Sequence, residues 1–250
     1  MKMIKRIIVL FSLITAFATS SHAQFSGSCG ASLNWSLDTT TGVLTITGSG
    51  AMTDYSEYNK APWYRQRDYI TSVVLPSGLT TIGTAAFMSL KNVTTTITIP
   101  NTVTSLGNLA FYLSGISTIT IPASVTSINY RSFCDCTSLT AINVNPSNTK
   151  YSSANDILYN KAKTTLVTYP CAKTDTSYSV PSTVTTIGLE AFRRNKYLTT
   201  ITVHSGVRTL NPIYFCENLV AINVDSANTY YCSVDGVVFS KDKQTLVTYP

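Results

Sequence analysis

The chain has 250 residues, a formal net charge of +6 and only 12% charged residues, with Thr and Ser filling most polar positions. Its basic excess is concentrated at the start: without the first 23 residues, fifteen Lys/Arg face twelve Asp/Glu, an excess of three. No basic stripe of the kind that tracks a phosphate backbone is present, so nucleic acid is not an expected partner.

The first segment reads as a secretory signal peptide over residues 1–23. "MKMIKR" is a basic n-region, "IIVLFSLITAFA" an apolar core and "SHA" a small-residue cleavage site. The apolar run is too short to span a bilayer comfortably. Gln24, not Cys, follows, so no lipid attachment is indicated, and no transmembrane segment is expected once the leader is removed. Secretion or surface display is the expected localisation. About 227 residues remain, enough for one sizeable core.

Residues 24–69 do not repeat. "LNWSLDTTTGVLTITGSGAM" reads as two strands joined at "DTTTG", and both tryptophans, Trp35 and Trp63, lie in this region. A stacked-repeat protein needs a cover over its first open face, and this stretch is placed to be that N-terminal β cap.

Residues 70–250 repeat. Units begin at Ile70, Val93, Ile116, Asp175 and Leu198, with partial units at Leu139 and Leu219. Most span 23 residues. Within each, "ITIP" alternates as a half-buried strand, and "V-T-x-I-G-x-x-A-F" reads as a turn-like or short helical return path. The inward set of the third unit is Ile116, Ile119, Ile121, Val125, Ile128 and Phe133. One unit cannot cover its own apolar face, so the units must stack. The predicted fold is mostly β: a right-handed solenoid with a parallel sheet.

Each partial unit is followed by an insertion, at about 146–170 and 226–250. The flanking segments Asn143–Pro170 and Asn223–Pro250 agree at half their positions and both finish on "TLVTYP". An apolar run, a polar turn ("NKAK" or "SKDK") and a second apolar run predict two inserted β-hairpins. The second is expected to act as the C-terminal cap.

The unit "ISTITIPASVTSINYRSFCDCTSL" resembles the BspA-type leucine-rich repeat of bacterial surface proteins. "GSCGASLNWSLDTTTGVLTITGSGAM" and "APWYRQRDYITSVVLP" are similar to the cap that precedes such repeats, and the hairpins to an insertion in the same family. The resemblance spans nearly all of residues 27–250. It implies a leucine-rich-repeat solenoid that is secreted or surface-displayed and works by binding. Its implied role is that of an adhesin for a host or neighbouring-cell protein, such as an extracellular-matrix or other surface protein.

Catalytic chemistry is sparsely supplied, so no enzyme, metal or cofactor is expected. His204, the one histidine beyond the leader, stands where other units carry Pro and reads as a strand-end surface residue without nucleophile or orienting partner. "SANDIL" and "SVDGVV" lack the dense oxygen ligands of a calcium loop. "CDC" at Cys134–Cys136 lacks zinc spacing, and Cys136 reads as a buried thiol facing the core. A disulfide among Cys29, Cys171 and Cys232 stays open. "YRQR" and "RRNK" read as solvated surface.

The candidate ligand surface is the outward face of the strands: Thr96, Thr98, Thr118, Thr120, Asn143, Ser177, Ser179, Thr200, Thr202 and Asn223. Seven strands about 4.8 Å apart would make a strip roughly 30 Å long, with Tyr159, Lys161 and Lys163 of the first hairpin beside it. A glycan-binding module and a structural spacer are the alternative functions.

Overall fold

The structure, a computed structural model, describes residues 24–250; the expected signal peptide lies outside the described residues. The chain opens with three antiparallel strands, β1 (Gln24–Gly30), β2 (Leu33–Asp38) and β3 (Val43–Ala51), one more than the sequence suggests. Alternation along β2 sends Leu33, Trp35 and Leu37 inward. At the β2–β3 turn the Asp38 carboxylate accepts the Thr40 N–H at 2.8 Å. Gly42 then sits at φ +71°, where an added Cβ would strike the Thr71 hydroxyl.

Strand β3 heads two parallel ladders. Its first half, Val43–Thr45, pairs with β4 (Ser72–Val74), and its second half, Ser49–Ala51, pairs with β5 (Gly78–Ile82). The "ITIP" segments then form β6 (Ile97–Thr98) and β8 (Thr118–Ile121), and the matching "AINV" forms β10 (Ala141–Val144). The segments "VTSLG" and "VTSIN" of the "V-T-x-I-G" pattern form β7 (Ser105–Leu106) and β9 (Ser127–Ile128), which continue from β5. The return path is therefore partly a second sheet, not a helix. Its remainder turns on paired left-handed residues four apart, Ala85 with Ser89 and Leu109 with Leu113. That geometry is costly for residues with a Cβ. It is offset here because each turn's amides bond the next coil: Phe87 N–H to Ala110 O at 2.8 Å, and Phe111 N–H to Ser132 O at 2.9 Å.

Down the middle run Trp63, Phe87, Phe111 and Phe133, stacked with centroids 5.7–5.9 Å apart. Each buried ring contributes roughly 1.5–3 kcal/mol by area, and each stacked pair about 0.5–1.5 kcal/mol more. Of the predicted inward set in the third unit, five residues are buried and Ile128 is partly so.

Each expected hairpin is present, and a further strand before it extends it to a three-stranded meander. The first comprises β11 (Tyr151–Ala154), β12 (Ile157–Asn160) and β13 (Thr165–Thr168). Asn155 and Asp156, both at positive φ, make its tight first turn. The meander closes the preceding ladders and opens the next. The Ile128 N–H donates to the Tyr151 hydroxyl at 2.8 Å, the Ile142 N–H to Asp156 O at 2.8 Å and the Val144 N–H to the Ser153 hydroxyl at 3.0 Å. Asn148, fully buried, donates to Pro122 O and Val125 O and accepts from the Lys150 and Tyr151 amides.

Strand β13 then pairs with a new parallel series. This half comprises β14 (Ser177–Ser179), β15 (Thr186–Ile187), β16 (Thr200–Val203), β17 (Thr209–Leu210) and β18 (Ala221–Val224). One ladder runs β13–β15–β17 and the other β14–β16–β18. The apolar interior is accordingly two clusters, not the single core expected. Leu158 of β12 belongs to the first, and Ile157 and Tyr159 to the second. Period-two alternation makes this strand a septum.

The second meander, β19 (Tyr231–Val234), β20 (Val237–Ser240) and β21 (Leu246–Thr248), repeats the same closure. Leu210 N–H meets the Tyr231 hydroxyl at 3.1 Å, Ile222 N–H meets Gly236 O at 2.9 Å, and Asn228 stands in for Asn148.

Candidate functional site

Strand pleating points Thr96, Thr98, Thr120, Asn143, Ser177, Ser179, Thr202 and Asn223 into solvent, while Thr118 and Thr200 are half-exposed. Between them the alternate residues Ile97, Ile119, Ile142, Ile201 and Ile222 are buried at 0–2% exposure and fix the register. The Thr96 and Thr118 hydroxyls hydrogen-bond across neighbouring strands at 2.7 Å.

These residues do not form one seven-stranded strip. β4 bonds β3 and not β6, and the first meander separates β6–β8–β10 from β14–β16–β18. The surface is two three-stranded platforms, the first carrying Thr96, Thr98, Thr118, Thr120 and Asn143. The second carries Ser177, Ser179, Thr200, Thr202 and Asn223.

At the break lies a cleft of about 360 Å³ between the meander and β14, lined by Asn155, Tyr159, Lys163, Ser177, Tyr178 and Ser179 among others. Tyr159 is 3% exposed and its hydroxyl meets that of Tyr178 at 2.7 Å. Burial pushes the Tyr159 phenol above its ordinary pKa, so it stays a neutral hydrogen-bonding group. Lys163, exposed at φ 55°, faces the cleft, whereas the Lys161 ammonium donates to Pro146 O at 3.1 Å. Tyr178 was not anticipated. Its signal was a tyrosine at an inward position of "SYSV", where other units carry Ile or Val.

"RRNK" is not a solvated run. Arg193 binds the Asp135 carboxylate through Nε (2.7 Å) and Nη2 (3.2 Å), and Glu190 through Nη1 (3.0 Å). Arg131 holds the other Glu190 oxygen at 3.1 Å. The Asp135 side chain is 3% exposed and that of Glu190 7%, and these carboxylates raise the Arg193 pKa above its ordinary value. Asn195 is fully buried and joins Pro170 and Lys173 carbonyls to the Tyr197 and Leu198 amides. The cluster is a structural clasp between coils 58 residues apart in sequence.

His204 stands at a strand end, half-buried. Its Nδ1 accepts the Gly206 N–H at 3.0 Å, which leaves Nε2–H to donate to Val184 O at 2.9 Å. All six cysteines are free. Cys136 and Cys216 each donate to the carbonyl of the preceding coil, Phe111 and Phe192, at 3.0 Å. Burial pushes the thiols up, Cys29 and Cys216 to about 11 and Cys134 and Cys171 to about 12. Among the described residues no group of three or more His, Cys, Asp or Glu side chains is placed to hold a metal ion, and no helix is long and apolar enough to cross a membrane.

The sequence matches the BspA type leucine rich repeat region in six copies, over residues 61–178 and 164–240. The chain belongs to this family. A leucine-rich repeat protein from Eubacterium ventriosum shares 31% identity with it over 81% of this chain and 72% of that one, with a TM-score of 0.56. A leucine rich cell surface protein from Faecalibacterium prausnitzii shares 19% over 79% and 76%, with a TM-score of 0.46. The pneumococcal vaccine antigen PcpA shares 16% over 81% and 71%, at 0.47. No curated protein matches the chain.

Proposed function

We propose that this BspA-type solenoid is a secreted or cell-surface binding protein, an adhesin that recognises a host or neighbouring-cell protein. In this reading residues 1–23 are the leader, 24–69 the cap and 70–250 the recognition solenoid. The observation that carries it is the pair of uncharged platforms, whose hydroxyls and amides face solvent on both sides of the Tyr159–Tyr178 cleft. Backed by buried Ile, these groups are held in register without a ligand, so little ordering entropy opposes association.

The test is capture of extracellular-matrix and surface proteins, with a glycan array in parallel. One variant carries Thr98→Glu and Thr120→Glu on the first platform, and a second carries Thr202→Glu on the other. Loss of capture in either assigns the ligand to that platform. Capture unaltered in the combined triple variant would defeat the platform reading, and array binding without protein capture would favour a glycan-binding module. Turnover of any captured peptide or glycan by pure protein would defeat the non-catalytic reading.

A further inference from the structure

Along the second ladder of the first half, β5–β7–β9, lies an open groove of about 700 Å³. That is within the roughly 300–1,000 Å³ usual for small-ligand sites. The groove belongs to a different ladder from the Thr/Ser/Asn platforms, and the cap contributes Asp54 to it.

Its polar groups are largely uncommitted. Asp54 Oδ1 accepts the Thr84 N–H at 2.6 Å, which leaves Oδ2 free. Asn129 Oδ1 accepts the Arg131 N–H at 3.2 Å, which leaves its Nδ2 donors free. The Asn108 side-chain amide makes no hydrogen bond, and its Oδ1 is buried without a partner. An amide kept unpaired beside a groove is a cost that a ligand hydroxyl would offset. The neighbouring Thr104 and Thr126 hydroxyls donate to Thr80 O and Thr104 O of the preceding coil. The Ser105 and Ser127 hydroxyls, which line the groove, have no protein partner.

We infer that this groove is a binding site for an uncharged oligosaccharide, separate from the platforms and independent of their role. A sugar hydroxyl is donor and acceptor at once, so it can donate to the Asp54 carboxylate and accept from an Asn amide. Tyr130, 42% exposed, supplies a ring for the C–H face of a sugar. The Arg131 guanidinium, held by Glu190 at 3.1 Å, lies 5.7 Å from that ring's centroid and steadies it. Among the described residues no Lys or Arg lines the groove, so an anionic ligand would meet Asp54 with nothing to balance it. A peptide strand finds no edge there either. β5 and β7 are paired on both sides, and the Ile128 N–H of β9 is taken by the Tyr151 hydroxyl. The polar lining is not a by-product of the repeat. After the strand the first half carries Thr84, Asn108 and Tyr130, whereas the second carries Leu189 and Pro212.

The probes are cellotriose, mannotriose and chitotriose, titrated into the full chain beside a heparin-derived tetrasaccharide. Expected are one-to-one binding of at least one neutral probe at a Kd of about 1 mM or tighter, a shifted Asn108 side-chain amide signal by NMR, and no binding of the heparin fragment. Asp54→Asn keeps the acceptor for Thr84 and removes the charge, and Tyr130→Ala removes a partly exposed ring. Each should weaken binding at least about tenfold, whereas Thr98→Glu with Thr120→Glu should leave it unchanged. The Asn108 signal is read on the unaltered chain, so it does not depend on either variant folding. No neutral probe bound at about 10 mM, an unmoved Asn108 signal, or binding indifferent to both groove variants would overturn the site. Preference for the heparin fragment would overturn its uncharged class. Loss of binding in the platform variant alone would place the sugar on the platforms and overturn the groove, while leaving the proposed function standing.

Discussion

Leu166 and Leu246 occupy the same place in identical hexapeptides, yet one is fully buried and the other is 54% exposed. Tyr169 and Tyr249 differ in the same way, at 1% and 68%. On the opposite side the two meanders behave alike. Asn148 and Asn228 are each fully buried with the same four kinds of partner, and Tyr151 and Tyr231 each end a ladder with a phenol. A meander is therefore two-sided. One side closes the ladders before it, and the other offers a new edge whose burial depends on what is stacked there.

That contrast can be broken by truncating the rings. Tyr169→Ala should cost about 3–5 kcal/mol, as large aromatic truncations in cores do. Tyr249→Ala should change stability by no more than about 0.5 kcal/mol, as exposed substitutions do. Urea denaturation of the two variants measures the difference, and equal costs would abolish the distinction. Arg193→Ala comes next. It leaves the Asp135 carboxylate buried and short of its main partner, a change worth roughly 3–5 kcal/mol. The place equivalent to Asp135, in the coil before the second meander, holds Phe215, 60% exposed with the Arg193 guanidinium stacked 4.6 Å from its ring. Phe215→Ala should cost no more than about 1 kcal/mol.

The shared side sharpens the comparison from the other direction. Asn148→Ala and Asn228→Ala should each cost roughly 2–4 kcal/mol, because each strands two buried carbonyls and two amides. Unequal costs would mean that the closures differ despite their matching bonds. The smallest expected effect is on pH dependence. Burial raises the Cys134 and Cys171 thiols to about 12 and Cys216 to about 11 from 9.0. The folded state thus holds these protons more tightly than the unfolded state. Stability is unaffected below about pH 9 and declines as pH rises from there towards the folded values. Urea midpoints between pH 8 and 10.5 should fall, and should fall less in Cys216→Ala.

Much of the architecture was legible in the chain. The 23-residue period, the alternation of "ITIP" and the duplicated insertions all follow from local spacing. They specify stacked coils, because each unit exposes an apolar face that only another unit can cover. The outward Thr, Ser and Asn positions were legible for the same reason, since a strand's period of two needs no knowledge of its neighbours. The "V-T-x-I-G" ladder was less so. Its strands are two residues long in β7 and β9 and exist only because a neighbouring coil supplies the hydrogen bonds.

Charge was misread for a related reason. Arg193 looks exposed in "RRNK" because its carboxylate partner Asp135 lies 58 residues away. The sequence by itself determined the repeat, the inward and outward residues, and the twofold use of "TLVTYP". Only the tertiary structure decided that the apolar interior divides at Leu158, that the hydroxyl surface is two platforms, and that one "TLVTYP" is a covered strand and the other an open edge. Periodicity is a property of a segment, whereas burial and pairing belong to whatever lies against it.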